Sequence, residues 1–120
     1  MAVRAVRGAI QIDRDDPAAI AAATAELLDE VTGRNGLGAD DFISVVFTMT
    51  PDLASGFPAA AARERGLGDV PLLCATEIGV PGALPRVIRL LAHVASDRPR
   101  TAIRHVYLRG AARLRPDLAA

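Results

Sequence analysis

Val70 to Arg89 reads VPLLCATEIGVPGALPRVIR, and the order of residue types in this stretch decides the architecture. Val70 to Ala75 is an apolar run of strand length that breaks at Cys74-Ala75-Thr76-Glu77. The loop Gly79-Val80-Pro81-Gly82 follows, and a second apolar run from Arg86 to Val94 carries Arg89 in its interior. Short apolar runs bounded by Gly and Pro read as strands. Charges are rare inside such runs, because burying one without a partner is costly. Glu77 at the end of one strand and Arg89 within the next therefore mark a candidate site.

Strand alternation sharpens this. In the second run Ile88, Leu90, Ala92 and Val94 share one face, and Val87, Arg89, Leu91 and His93 share the other, so Arg89 points away from the main apolar face. Toward the N-terminus, Phe42 to Met49 is β-rich and nearly unbroken in apolar character, which predicts a central strand. Thr50-Pro51-Asp52-Leu53 ends it. Phe57-Pro58 opens an alanine-rich helix to about Arg65, on which Ala59, Ala62 and Arg63 occupy neighbouring positions. Arg65 reads as a solvated helix end near the favourable negative terminus of the dipole. Ala2 to Ile12 reads as a strand with Val3, Ala5, Arg7 and Ala9 on one face and Arg4, Val6, Gly8 and Ile10 on the other. Gly8 beside Arg7 marks a bulge or the close approach of a ligand.

Asp15-Asp16-Pro17 is a helix start. Ile20, Thr24, Leu27, Leu28 and Val31 recur at helical spacing after it, and the helix is expected to end near Gly33. Asp97-Arg98-Pro99-Arg100 makes a turn. Ile103 to Leu108 reads as a last strand continuing toward Leu114, with His105, Tyr107 and Arg109 on one face. The order β-α-β-α-β-β-β predicts an α/β (α+β) fold, a mixed five-stranded sheet with helices on one face. The other face is left to Arg7 and Arg89 among aliphatics. Either a pocket or a partner subunit covers it, and symmetric self-association is the simpler expectation.

With 120 residues, the chain is one domain, spanning 1–120. Its formal net charge is zero and half of its residues are apolar, which favours neither nucleic acid nor an anionic membrane surface as partner. All fourteen basic residues are arginine, a side chain whose planar fork suits carboxylates, although genomic base composition gives the same bias. Cys74 is the lone cysteine, so no intrachain disulfide forms. MAVRAVRGAI does not read as a secretory signal, no stretch of about 20 apolar residues is present to span a membrane, and a cytoplasmic protein is expected. Leu118 is followed by only two residues, so no longer tail contribution is expected.

Phosphate-loop, dinucleotide-fingerprint and zinc-spacing motifs are missing, and no cofactor or metal site is expected. A nucleophilic Cys74 needs a histidine base that the sequence does not place. His93 and His105 read first as hydrogen-bonded strand residues. The remaining set, strand arginines with Cys74, Glu77 and Tyr107, can hold a dianion by its carboxylates and bind a hydroxyl while leaving a cation free.

These residues in this order resemble the monofunctional AroH-type chorismate mutases. The resemblance rests on Val6-Arg7-Gly8-Ala9, Thr50-Pro51-Asp52-Leu53 with Phe57-Pro58-Ala59, and Val70-Pro71 leading to Cys74 and Glu77. Ile88-Arg89, Arg104-His105-Val106-Tyr107-Leu108 and Leu114-Arg115-Pro116-Asp117-Leu118 complete it. It implies rearrangement of chorismate to prephenate in aromatic amino-acid biosynthesis, by a homotrimer whose three sheets form a pseudo-α/β-barrel with sites at subunit interfaces. It further implies that Arg7 and Tyr107 bind a substrate carboxylate and that Arg89 faces the ether oxygen. Glu77 and Cys74 would hold the ring hydroxyl, with Phe57, Ala59, Leu72, Leu73, Ala75 and Thr76 along the wall, and Arg63, Leu114 and Arg115 closing the mouth. Arg7, Arg89 and Tyr107 are expected from one subunit, and the Phe57-to-Arg63 and Leu73-to-Glu77 segments from its neighbour. Some relatives carry lysine where Ala60 stands and threonine where Leu73 stands, which alters the polar contacts at the site entrance. The competing reading is a trimeric protein that binds a dicarboxylate in the same pocket without turning it over.

Overall fold

The computed structural model describes residues 1–118. Its elements run β1 (Ala2–Gln11), α1 (Pro17–Asn35), β2 (Phe42–Met49), α2 (Pro58–Ala62), β3 (Leu72–Thr76), β4 (Val87–Ser96) and β5 (Val106–Leu108). The five strands form one mixed sheet in the order β3-β2-β4-β1-β5. β4 lies at the centre, antiparallel to β1 and β2, while β3 and β5 add in parallel at the two edges. This is the mixed five-stranded sheet that the element order predicts, with Phe42 to Met49 internal to it.

Helix α1 starts where the Asp-Pro signal places it: the Asp16 side chain accepts from the Ala19 amide at 3.0 Å. It runs past Gly33. The C-terminal cap is Gly36, in the left-handed region at φ 61, with its amide donating to the Thr32 carbonyl. Only glycine takes that conformation without a Cβ penalty, so the helix ends at Gly36 and not near Gly33, which lies inside it. Asp15 has a different role. Its carboxylate accepts from the Ala54 and Ser55 amides and the Ser55 hydroxyl, tying the β1–α1 turn to the loop after β2. These bonds, that of the hydroxyl first, hold its pKa below the usual aspartate value.

α1 covers one face of the sheet. Ile20, Ala23, Leu27, Leu28 and Val31 pack on Val6, Ile10, Phe47, Ile88, Leu90 and Val94, all buried. Fully burying each large aliphatic or aromatic side chain contributes roughly 1.5–3 kcal/mol relative to exposure. Phe42, Val45 and Phe47 reach the same core although 42 and 45 differ in parity. A register irregularity between Phe42 and Ser44 takes up one residue and restores the alternation,. Gly8 brings helix and sheet together, because a Cβ there would meet Leu27 and Leu90 at 3.2 Å. The close approach expected at Gly8 is thus that of α1, not of a ligand.

α2 is shorter than expected. It unwinds at Arg63–Leu67 through a wide turn in which Gly66 takes φ 92. The last strand is shorter too, and instead of continuing toward Leu114 it passes into a 3-10 turn at Arg109–Arg113. Arg109, at φ 55, turns back to Glu26 on α1 at 2.8 Å, so it does not share the face of Tyr107. Asn35 fastens this end of the sheet: its side chain donates to the Arg104 carbonyl and accepts from the Arg104 amide.

Candidate active site

The sheet face away from α1 carries the charged residues. The register aligns Ala75, Thr48, Arg89, Ala9 and Tyr107 in one row across all five strands. Arg7 pairs with Leu91 one step along, which makes Arg7 and Arg89 diagonal neighbours on an antiparallel pair, about 7–8 Å apart by sheet geometry. Two cations so close on one sheet face favour a polyanion between or above them.

Glu77 follows β3 directly. Its amide donates to the Met49 carbonyl at 2.8 Å, extending the ladder by one residue, and this aims the carboxylate across the sheet. Oε2 accepts from Arg89 Nε at 2.9 Å and from the Thr48 hydroxyl at 2.7 Å. The Glu77 side chain retains 17% exposure against 41% for Arg89, so the pair is half-screened and the guanidinium faces outward. With Nε on Glu77, both terminal amino groups of Arg89 stay without a hydrogen-bond partner among the described residues.

The loop from Glu77 to Arg86 is clamped at its far end. The Asp52 carboxylate accepts from the Arg86 amide at 3.0 and 3.1 Å, the Val87 amide donates to the Thr50 hydroxyl oxygen, and Arg86 Nε donates to the Ile12 carbonyl. Arg86 lies at φ 52, a left-handed conformation that costs a non-glycine residue on the order of 1 kcal/mol, which these bonds offset. A cleft of about 250 Å³ results, lined by Glu77, Arg89, Asp52, Ile78, Val80 and Leu84 among others.

Arg7 opens onto a second hollow of about 500 Å³, lined also by Arg4, Leu91, His93, Arg100 and His105. His105 Nδ1 accepts from the Arg7 amide at 3.0 Å, which fixes the ring as the Nε2–H tautomer. Burial, then the charges of Arg7 and Arg115, push the His105 pKa below its usual value, and the ring nitrogen is taken up in fastening the Arg7 strand. His93 lies 3.3 Å from the Ser44 hydroxyl. Tyr107 packs with Ala9, Val87 and Ala111 in a small second core that also takes in Leu84, Leu114 and Leu118. Arg115 holds Asp117 in a two-pronged pair. That pair, helped by the field of Arg7, keeps the Asp117 carboxyl below the usual range.

One chain brings together some of the residues singled out in the sequence. Arg89 and Glu77 are joined by a hydrogen bond within one chain, which corrects the expectation that Glu77 meets Arg89 from a neighbouring subunit: the turn after β3 brings the carboxylate back over β2 to β4. Arg7 and Tyr107 share their face, and Leu73 and Ala75 are exposed on it at the sheet edge. Phe57, 72% exposed at the start of α2, and the exposed Arg63 take no part in either hollow, while Ala59 is buried. Cys74 requires a correction. It pairs with Phe47 in register and packs, like Leu72, against the core under α1. Thr76 pairs with Met49 on that same side. Alternation therefore puts the Cys74 thiol on the opposite side of the strand from Glu77, and only its backbone, on the open sheet edge, is free to face a ligand there. Thr48 is not among the residues the sequence singles out, and Asp52 enters there only within the Thr50-Pro51-Asp52-Leu53 motif. Ser44, Val46 and Thr48 alternate with Val45 and Phe47, and that alternation was the available signal for Thr48.

A mixed sheet with one face only partly covered, holding diagonal arginines, a tyrosine and a carboxylate tied to one of the arginines, defines a class of protein: a binder of small polyanions that works by fixed charges. No group of three or more metal-ligating side chains occurs among the described residues. Comparison with known proteins narrows this class. A model of the family chorismate mutase type I matches residues 3–118, and the chain belongs to that family. It is 54% identical over 117 residues to chorismate mutase AroH of Thermus thermophilus, covering 97% of this chain and 96% of the relative. Identity to chorismate mutase AroH of Bacillus subtilis is 39%, over 99% of this chain and 94% of the relative. The fold is similar to a chorismate mutase from Clostridium thermocellum, with TM-score 0.88, 46% identity, and coverage of 89% of this chain and 96% of that one.

Proposed function

We propose that the chain is an isomerase that catalyses the Claisen rearrangement of chorismate to prephenate, and that it does so by conformational restriction and fixed charge. The reaction is intramolecular: one C–O bond breaks, one C–C bond forms, and no proton leaves the substrate. It requires the diacid to be held in its reactive shape and the negative charge growing on the ether oxygen to be met by a preorganised donor. The observation that carries this reading is the Arg89–Glu77 bond. It anchors the guanidinium through Nε and leaves its terminal N–H groups for the ether oxygen, while Glu77 keeps Oε1 for the ring hydroxyl. Arg7, with Tyr107 beside it, takes a carboxylate.

The complete site is proposed to form between subunits of a homotrimer. Support comes from the open face and from the placement of Phe57, Arg63 and Leu73 away from the hollows of their own chain. Val3, Leu73 and Leu91 are exposed apolar residues that an adjoining subunit would cover. A cytoplasmic setting suits a half-buried Cys74 that remains a free thiol,. Loss of the chorismate diene absorbance on adding the protein tests the activity, and dilution toward monomer should abolish it. Binding of chorismate without its consumption would sink the catalytic reading, and full activity of a sedimenting monomer would sink the shared site.

A further inference from the structure

Thr48 bridges the two strands that carry the charged pair. It pairs with Arg89 of β4 on one side and Ala75 of β3 on the other, and so lies on the open face beside the Glu77 carboxylate. Its hydroxyl donates to Oε2 at 2.7 Å, the same oxygen that takes Arg89 Nε at 2.9 Å. The two donors arrive from neighbouring strands, a hydroxyl and a guanidinium edge, and together they occupy Oε2. A carboxylate fixed at one oxygen by two donors of different direction has little torsional freedom left. Its second oxygen, Oε1, then keeps its lone pairs for an outside donor.

We infer that Thr48 is a positioning residue for the proposed reaction: by engaging Glu77 Oε2 together with Arg89, it reserves Oε1 for the substrate hydroxyl and holds the Arg89 fork toward the ether oxygen. This rests on the chorismate mutase reading of the site. Thr48 touches no substrate and acts only through Glu77. Among the described residues it has no other side-chain hydrogen bond, it lies outside the buried core, and valine has the same shape and a better strand preference.

The test is kinetic. Thr48→Val deletes the hydroxyl and keeps the volume. Turnover should fall by about 10-fold, the size of one hydrogen bond to a charged group, with a smaller change in the Michaelis constant, because the bond matters most where charge is being met in the transition state. Affinity for a bicyclic ether dicarboxylate that mimics the transition state should fall by a similar factor, measured by calorimetry. Thr48→Ser restores the donor and should recover most of the loss. In a Glu77→Ala background Thr48→Val should cost nothing more, since the partner of its hydroxyl among the described residues is gone,. An active wild type with a Thr48→Val variant of unchanged turnover and normal thermal stability overturns the inference. So does an equal cost of Thr48→Val with and without Glu77. A wild type that binds but does not convert chorismate overturns the underlying reading instead.

Discussion

The two faces of the sheet are made from the same strands and differ in every respect that matters. On the α1 side, β1, β2 and β4 present Val6, Ile10, Phe47, Ile88, Leu90 and Val94, all fully or nearly fully buried. One residue along each strand the same backbone presents Arg7, Thr48, Arg89 and His93, all partly exposed, with Thr48 and Arg89 joined through the Glu77 carboxylate. A period of two lets one strand serve both faces, because successive side chains point in opposite directions. Most of the buried core therefore lies on one face and the charged groups on the other, where a smaller core around Val87 and Tyr107 adjoins them, and substitutions should separate along that line.

The strongest test is to damage the covered face. Phe47→Ala removes a fully buried aromatic ring and should destabilise the fold by about 3–5 kcal/mol, measured by urea unfolding. A loss under about 1 kcal/mol would mean that this face is not what holds the chain together. On the open face the effects should invert. Arg89→Ala should leave unfolding nearly unchanged while turnover falls by about 10²-fold or more, the size of one fixed donor to a developing oxyanion. Arg89→Lys should recover only part, as an ammonium lacks the fork that bonds Glu77 and the substrate together. A rise in the Michaelis constant alone would make Arg89 a binding residue and remove the electrostatic mechanism.

A smaller effect is expected one step along the face. Arg7→Ala removes a carboxylate contact made in ground and transition states alike, so affinity should drop by about 10-fold with turnover largely kept. Equal losses in both would place Arg7 nearer the reacting bond. The least effect concerns His105, whose ring accepts from the Arg7 amide. Its folded-state pKa is depressed by burial and by Arg7 and Arg115. Below its unfolded value of about 6.5, the unfolded state therefore binds more protons than the native one. Its stabilising contribution is complete above that pH and is lost as pH falls through the folded-state value. Between about pH 7.5 and 5.5 the melting temperature should fall less in His105→Asn than in wild type, because Asn keeps an acceptor for the Arg7 amide without titrating. Identical pH profiles would show that His105 takes up its proton equally in both states and that its pKa is not depressed by folding.

Much of this molecule could be read without coordinates, because the information is local. Apolar runs and their parity gave five strands and assigned Arg89 to the side away from Leu90. Asp16-Pro17 gave the start of α1, and the family resemblance could be drawn from short segments in register. Where local rules misled, a long-range contact had intervened. Gly33 lies within a helix that packing carries on to Gly36, Gly8 admits Leu27, and Arg109 turns back at φ 55 to Glu26.

The sequence by itself determined which residue types alternate, and hence that one sheet face would be apolar and the other would hold arginines. Only the tertiary structure decided which of those residues meet. Thr48 and Glu77 are separated by 29 positions, and Glu77 and Arg89 by 12, so their shared oxygen depends on strand order and register, quantities that no single strand encodes. The Cys74 side chain was placed likewise by its parallel pairing with Phe47, since a strand's own period fixes only which residues face together, and the sheet fixes what they face.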